Sequence, residues 1–284
     1  MGKKLLKKAL KDKLTPEELE YISKSFDIVG DIAIVRISPK LKHKEVLVAE
    51  ILVKIHRNVK TVLNQIGPVK NDYRLRKLEW VWGEKKVKTI HRESGCLYKV
   101  NLAEVYFSPR LSFERMRIAK IVNKGEVVVN MFAGVGCFSI MIAKHSEAGK
   151  VYSIDLNPKA VKLMSENICL NKVEGKVKAI LGDAWKIIET NFRGKADRVL
   201  MPLPIKAFEY LDIALLALKS TRGIIHYYDV IQVNNRKKAE KEIIKKIKEK
   251  MNRIHISFEV ISSKVVRTVG PNWFQVVLDL KVGT

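Results

Sequence analysis

Cysteine is scarce: Cys96, Cys137 and Cys169 are the only three in 284 residues, and no two stand as CxxC. The six histidines do not pair at ligand spacing either. Neither a structural zinc site nor a disulfide framework is expected. No stretch approaches the roughly 18 uninterrupted apolar residues that a membrane span needs. The N-terminal MGKKLLKKALKDK has no apolar h-region and no small-residue cleavage site, which excludes a secretory signal. A cytoplasmic protein is expected. Acidic residues are also short: 30 Asp+Glu stand against 54 Lys+Arg, a net charge of +24. Such an excess repels itself in the folded state. It is most easily understood if the partner is a polyanion, nucleic acid first, because each phosphate contact releases counterions. The alternative is a lysine-rich surface of the kind thermophilic proteins carry.

Apolar residues are plentiful at 47%, so the chain can build a core and is not a long disordered one. Its length suits one large domain or two modest ones. Residues 1–25 read as a basic helical segment. Within it Thr15-Pro16-Glu17-Glu18 is a helix start, with a Thr cap, Pro at the first position and acids at the positive end of the dipole. Residues 27–37 alternate around Gly30-Asp31, a hairpin signal. A helix over 43–58 and strands over 61–66, 87–91 and 97–102 complete a small α+β module, bounded at 26–117. From 118 to 284 strand and helix alternate: strands at 127–131, 151–155, 177–181, 198–201 and 223–228, with helices through 143, over 158–171 and over 207–218. A basic helix at 237–251 and two long strands, 256–267 and 273–281, close the chain. This alternation predicts an α/β, doubly wound parallel sheet.

The segment VVVNMFAGVGCFSI (127–140) sets Gly134 and Gly136 between a buried strand and a helix. Glycines there let a ligand approach the backbone, and the helix start offers free N–H groups. A dinucleotide site favours G-x-G-x-x-G, but the third position here is Ser139. S-adenosylmethionine needs less room, and such a turn can hold its carboxylate. The next strand ends YSIDLNP (152–158), with Asp155 about 20 residues after the loop, where a carboxylate accepts ribose hydroxyls. The third ends LGDAW (181–185), and Asp183 is positioned to accept the adenine amino group. The cofactor site is thus expected to comprise Phe132, Ala133, Gly134, Gly136, Asp155, Leu156, Asp183, Ala184 and Pro202.

YRLRKLE (73–79), VYFSPRL with the following ER (105–115), NMFAGVGCFSI (130–140), LMPLPIKAFEYLD (200–212) and GIIHYYD (223–229) carry a further message. Together they resemble the archaeal and eukaryotic tRNA guanine-37 N1-methyltransferase family, whose sister group is the wybutosine-pathway aminocarboxypropyl transferase. The resemblance runs from about residue 20 to the C-terminus. It implies a class I (Rossmann-like) methyltransferase domain behind a small N-terminal module, tRNA as partner, S-adenosylmethionine as cofactor, and 1-methylguanosine as product. It puts the family's catalytic arginine on Arg74, its tyrosine on Tyr106 and its glutamate on Glu114. Two features depart from the family. Its N-L-P motif reads Pro202-Leu203-Pro204 here, and proline has neither a side-chain amide nor an N–H. Some 20 basic residues stand where full members carry a domain that reads the tRNA elbow.

Guanine N1 is a poor nucleophile until it loses its proton, so methylation there needs a base at N1 and a cation or donor at O6. Glu114 is the expected base and Arg74 the O6 partner, with Tyr106 stacking on the flipped base. Arg76, Arg110 and Arg115 are expected to contact RNA. Blander readings stand beside these: Glu114 as a helix partner of Arg117 at i+3, Tyr106 as a core residue, His226 as a packed strand residue, and the 237–251 helix as a solvated face. The functional alternatives are aminocarboxypropyl transfer, C-methylation of a tricyclic wybutosine-pathway intermediate, and a non-catalytic tRNA-binding relative. Nothing marks a dimer helix, so a monomer is expected.

Overall fold

The computed structural model describes residues 2–23, 25–69 and 73–283. The chain forms two compact units, Met1–Ser112 and Phe113–Thr284. The first runs α1 (Gly2–Leu10), α2 (Pro16–Glu20), β1 (Asp27–Val29), β2 (Ile32–Val35), α3 (Glu45–Ile55), β3 (Thr61–Gln65), β4 (Leu78–Gly83), β5 (Lys88–Glu93) and β6 (Cys96–Asn101). Thr15 caps α2 in a capping box with Glu18. β1 and β2 form the expected hairpin, and β2 continues through α3 to a parallel β3. β4 completes a four-stranded sheet, while β5 and β6 form a separate ribbon. Residues 1–25 are not a segment apart. Leu6 and Leu10 lie four residues apart on one face of α1, and with Leu14 in the turn beyond it they enter the same core as Leu41, Val48, Leu52 and Val62. The sequence reading also missed β4, whose Trp80 and Trp82 pair with Leu63 and Val62 across a register shift.

The second unit begins within α4 (Ser112–Ile121), so the division falls at the start of this helix and not at 117. It continues β7 (Val127–Asn130), α5 (Cys137–His145), β8 (Lys150–Asp155), α6 (Pro158–Leu170), β9 (Val177–Leu181), α7 (Ala184–Ile187), β10 (Arg198–Met201), α8 (Leu211–Ala217), β11 (Gly223–Gln232), α9 (Arg236–Arg253), β12 (Phe258–Gly270) and β13 (Trp273–Val282). α8 is shorter than expected, because residues 204–210 form turns instead of helix. The seven strands are ordered β12-β13-β11-β10-β7-β8-β9. β7 to β11 run parallel, and β13 enters antiparallel between β11 and β12. Strands 127–130 and 198–201 are neighbours although two strands and three α-helices separate them in sequence. The order reverses at that point, which opens a crevice beyond their carboxyl ends. This is the doubly wound class I methyltransferase sheet. Val129, Ile154, Val199 and Ile225 on its strands pack with Leu211, Ala214, Ile243 and Ile247 of α8 and α9. Burying each of the Val, Leu and Ile side chains among these is worth about 1.5–3 kcal/mol. No helix among the described residues is long and apolar enough to cross a membrane.

Candidate active site

The loop from β7 to α5 depends on two glycines in the left-handed region, Gly134 at φ 56° and Gly136 at φ 89°. A Cβ on Gly136 would lie 2.9 Å from Met164 Cγ, whereas one on Gly134 would meet nothing within 4 Å. Gly136 therefore serves packing against α6, and Gly134 faces open space at the crevice. The Gly134 N–H donates to Asp155 Oδ2 at 2.6 Å and the Asn157 N–H to Oδ1 at 2.9 Å. Burial nevertheless pushes the Asp155 carboxyl above the usual carboxylate range, against the pull of both N–H groups. Beneath the loop, Asn130 donates to Ser139 Oγ at 3.1 Å. Asn130 Oδ1 is buried with no hydrogen-bond partner among the described residues. Asp183 caps α7 through Oδ1, which accepts from the N–H groups of Trp185 (2.9 Å) and Lys186 (3.3 Å), while Oδ2 accepts from the Tyr210 hydroxyl at 2.8 Å. Tyr210 meets the rings of Phe132 and Trp185 edge-on at 5.3 and 6.0 Å. Ala133 and Ala184 are buried, Pro202 is partly buried, and Leu156 is exposed. Expected cofactor residues from the ends of β7, β8, β9 and β10 thus share one end of one sheet. Open backbone at Gly134, a half-buried carboxylate and an aromatic wall fit a nucleoside-bearing ligand that carries its own carboxylate.

In the first unit Arg74 and Tyr106 come together. The Arg74 guanidinium carbon lies 4.8 Å from the Tyr106 ring centroid. Arg74 takes φ 55°, a left-handed conformation that costs a non-glycine residue about 1–3 kcal/mol and often marks functional positions. Two of the expected RNA contacts need correction. Both terminal nitrogens of Arg76 donate to Asp27 Oδ2 at 3.2 Å, and Nη2 also reaches the Phe107 carbonyl at 3.0 Å. Its side chain is 8% exposed, so it ties the unit together internally. Arg115 is 3% exposed, which denies a phosphate access to it. Arg110 remains available: Nε donates to Asp27 Oδ1 at 2.6 Å, but its side chain is 41% exposed. No sequence signal singled out Asp27, which anchors both arginines.

In the second unit Glu114 is buried on α4 and bonded at once to Arg117, as the helical spacing allowed. Arg117 Nε donates to Oε2 at 2.9 Å and Nη2 to Oε1 at 2.7 Å. The buried Tyr228 hydroxyl also donates to Oε1, at 2.7 Å. Sequence reasoning did not foresee Tyr228 or Asp279, which receives Arg117 Nη1 at 2.6 Å. Phe113, beside Glu114 in sequence, is 92% exposed.

The sequence profile of the TRM5/TYW2 methyltransferase domain matches residues 89–260, and that of the TYW2 N-terminal domain matches residues 6–86. The curated tRNA (guanine(37)-N(1))-methyltransferase Trm5b of Pyrococcus abyssi is 40% identical over 268 residues, spanning 94% of this chain and 78% of the relative. The tRNA 4-demethylwyosine(37)-methyltransferase Taw21 of Saccharolobus solfataricus is 35% identical, over 93% of this chain and 96% of its own. Among solved structures, that of aTrm5 with tRNALeu superposes with a TM-score of 0.82 at 36% identity, covering 96% of this chain and 76% of that one. Pyrococcus horikoshii TYW2 with MeSAdo gives 0.77 at 31%, covering 99% and 98%.

Proposed function

The chain belongs to the TRM5/TYW2 methyltransferase family, and on that premise we propose that it is an S-adenosylmethionine-dependent tRNA methyltransferase. Its target is N1 of guanosine-37, next to the anticodon, and it works as a cytoplasmic monomer. The observation that carries the reading is the crevice at the end of the parallel sheet, where Gly134, Asp155 and Asp183 converge. Asp155 receives the ribose hydroxyls, and Asp183, with the Phe132–Tyr210–Trp185 wall, takes the adenine. Bound there, S-adenosylmethionine supplies a methyl group on a positively charged sulfur, already activated for transfer. Glu114 accepts the N1 proton, so that the lone pair left on nitrogen becomes the nucleophile. Arg74 presents a planar fork to O6, where negative charge grows as the proton leaves. Tyr106 stacks on the base once it has left the anticodon stack, and Arg110 contacts backbone phosphate.

A second reading is transfer to a wybutosine-pathway intermediate, by methyl or by aminocarboxypropyl group. Pro202 favours it, since it replaces the amide that the family's N-L-P motif offers the target base. One paired incubation separates the two. Unmodified tRNA with guanosine-37 is mixed with S-adenosylmethionine labelled in the methyl group or in the carboxyl, and the digested nucleosides are identified. Methyl label in 1-methylguanosine is the expected result. Carboxyl label, or no label until a tricyclic intermediate is supplied, rejects N1 methylation in favour of the second reading.

A further inference from the structure

Behind Glu114 lies a buried chain of charges that spans the sheet. Arg117 has one edge on Glu114 and another on Asp279, with Nη1 to Oδ2 at 2.6 Å and Nη2 to Oδ1 at 3.1 Å. Asp279 Oδ1 meets His226 Nδ1 at 2.6 Å, and His226 Nε2 meets Arg198 Nη1 at 2.7 Å. Arg198 then grips Glu126 with Nε at 2.6 Å and Nη2 at 2.9 Å. The direction of these bonds follows from chemistry. A guanidinium only donates, so His226 Nε2 must accept and carries no proton. The ring proton is therefore on Nδ1 and is donated to Asp279. His226 is neutral, which agrees with its pKa being pushed down by complete burial, and further by Arg198 and Arg117, against the pull of Asp279. With His226 neutral, Asp279 is the anion that balances Arg117. Its carboxyl is held well below the usual range by His226 and Arg117 despite burial.

The same counting applies to Glu114. A carboxylate has about four acceptor positions. Among the described residues three are taken: Oε1 receives Arg117 Nη2 and the Tyr228 hydroxyl, and Oε2 receives Arg117 Nε. Tyr228 is itself pinned by the Phe138 ring, edge-on at 6.0 Å. From this geometry we infer that Glu114 takes the substrate proton on Oε2, and that Arg117, Tyr228 and Asp279 are positioning residues that set its orientation and basicity. The inference rests on Glu114 being the base of the proposed methylation. The charged and titratable groups around it are Arg117 on α4, Tyr228 and His226 on β11, Asp279 on β13, and Arg198 on β10 with its partner Glu126.

Two isosteric substitutions should move Glu114 in opposite directions. Asp279→Asn removes the anion that balances Arg117. The guanidinium then serves the Glu114 carboxylate alone and holds its charged form more strongly. Tyr228→Phe removes a donor to the charged form, which is then held less strongly. The acid limb of the kcat/KM profile should shift by about half to one unit, to lower pH in Asp279→Asn and to higher pH in Tyr228→Phe. A carbon-13 carboxyl titration of Glu114, assigned with Glu114→Gln and run without tRNA or S-adenosylmethionine, should show the same opposed shifts. That titration stands even if the methylation reading fails, whereas wild-type incubation alone tests that reading. Should Asp279→Asn not fold, Tyr228→Phe decides by itself. Folded variants whose Glu114 titration and acid limb stay within about 0.2 units of wild type, with only stability reduced, would overturn the inference.

Discussion

Asp155→Asn should separate cofactor binding from folding. In the structure Asp155 accepts one N–H on each oxygen, from Gly134 and from Asn157. Asparagine keeps one acceptor but turns an NH2 group toward one of those donors. Leaving a buried N–H without an acceptor costs roughly 1–3 kcal/mol. Against that, the fold disfavours the ionised Asp155 carboxylate, whose pKa burial raises, so removing the charge returns part of the loss. The two effects oppose each other, and the ligand-free melting temperature should move by no more than a few degrees. Binding has no such offset. The ribose hydroxyls lose charge-assisted bonds worth about 1.5–3 kcal/mol, or roughly 10- to 150-fold in Kd. Titration calorimetry with S-adenosylhomocysteine, beside thermal melts of both proteins, measures both quantities. A Kd within about threefold of wild type, in a variant that melts normally, would refute the assignment of Asp155 to the ribose.

Three further perturbations test other parts of the molecule. Gly136→Ala forces a left-handed residue with a Cβ 2.9 Å from Met164 Cγ. It should cost about 1–2 kcal/mol, read as a melting drop of about 3–8 °C; an unchanged melt would mean the loop relaxes freely. Arg74→Ala should slow single-turnover methylation of tRNA by about 10²-fold with the tRNA Kd little changed, whereas a raised Kd at normal rate would make Arg74 a phosphate contact. His226 should give the fold an acid sensitivity of its own. Its folded pKa is depressed, so its contribution is complete above the unfolded value near 6.5 and is lost as pH falls below it, at up to about 1.4 kcal/mol per pH unit. Asp279, also depressed, adds its loss only below about pH 4. Urea midpoints at pH 5 to 8 should therefore slope more steeply for wild type than for His226→Gln, and parallel slopes would mean that folding does not shift the titration of the histidine.

That the expected cofactor residues gather at one end of the sheet was legible because the signals are local. Gly134 and Gly136 lie in the loop after a buried strand, Asp155 ends the next strand, and Asp183 stands two residues past the end of the third. The Glu114–Arg117 pair was legible too, since three residues on a helix is one turn. What was not legible joins distant sequence. Asp27 lies 49 residues from Arg76 and 83 from Arg110, and Asp279 lies 162 from Arg117. Without those partners, RLRK and PRL read as surface charge offered to phosphate, and Arg76 was misassigned for that reason. The missed elements have local causes. α7 has only four residues before a π-helical turn, too few for a periodic signal. In β4, Trp80 and Trp82 pair across a register shift that breaks simple alternation.

Glu114 shows why a bland and a catalytic reading need not compete. The salt bridge to Arg117 that the helical spacing suggested is present. An exposed pair of this kind contributes about 0–1 kcal/mol and would say little. Here the carboxylate is buried, and Arg117 is shared with a second buried anion, Asp279. Burying two carboxylates around one guanidinium is a poor way to gain stability, since each desolvation costs several kcal/mol. Removing one partner leaves an uncompensated charge, so the arrangement is rigid as well as costly. Rigidity, with one acceptor position on Oε2 left open by the described residues, is what a general base requires: a fixed lone pair, a fixed distance and a charge that cannot rotate away. On the proposed reading of Glu114 as the base, the salt bridge is the means by which α4 holds it in place, and His226 and Arg198 extend that hold across the sheet.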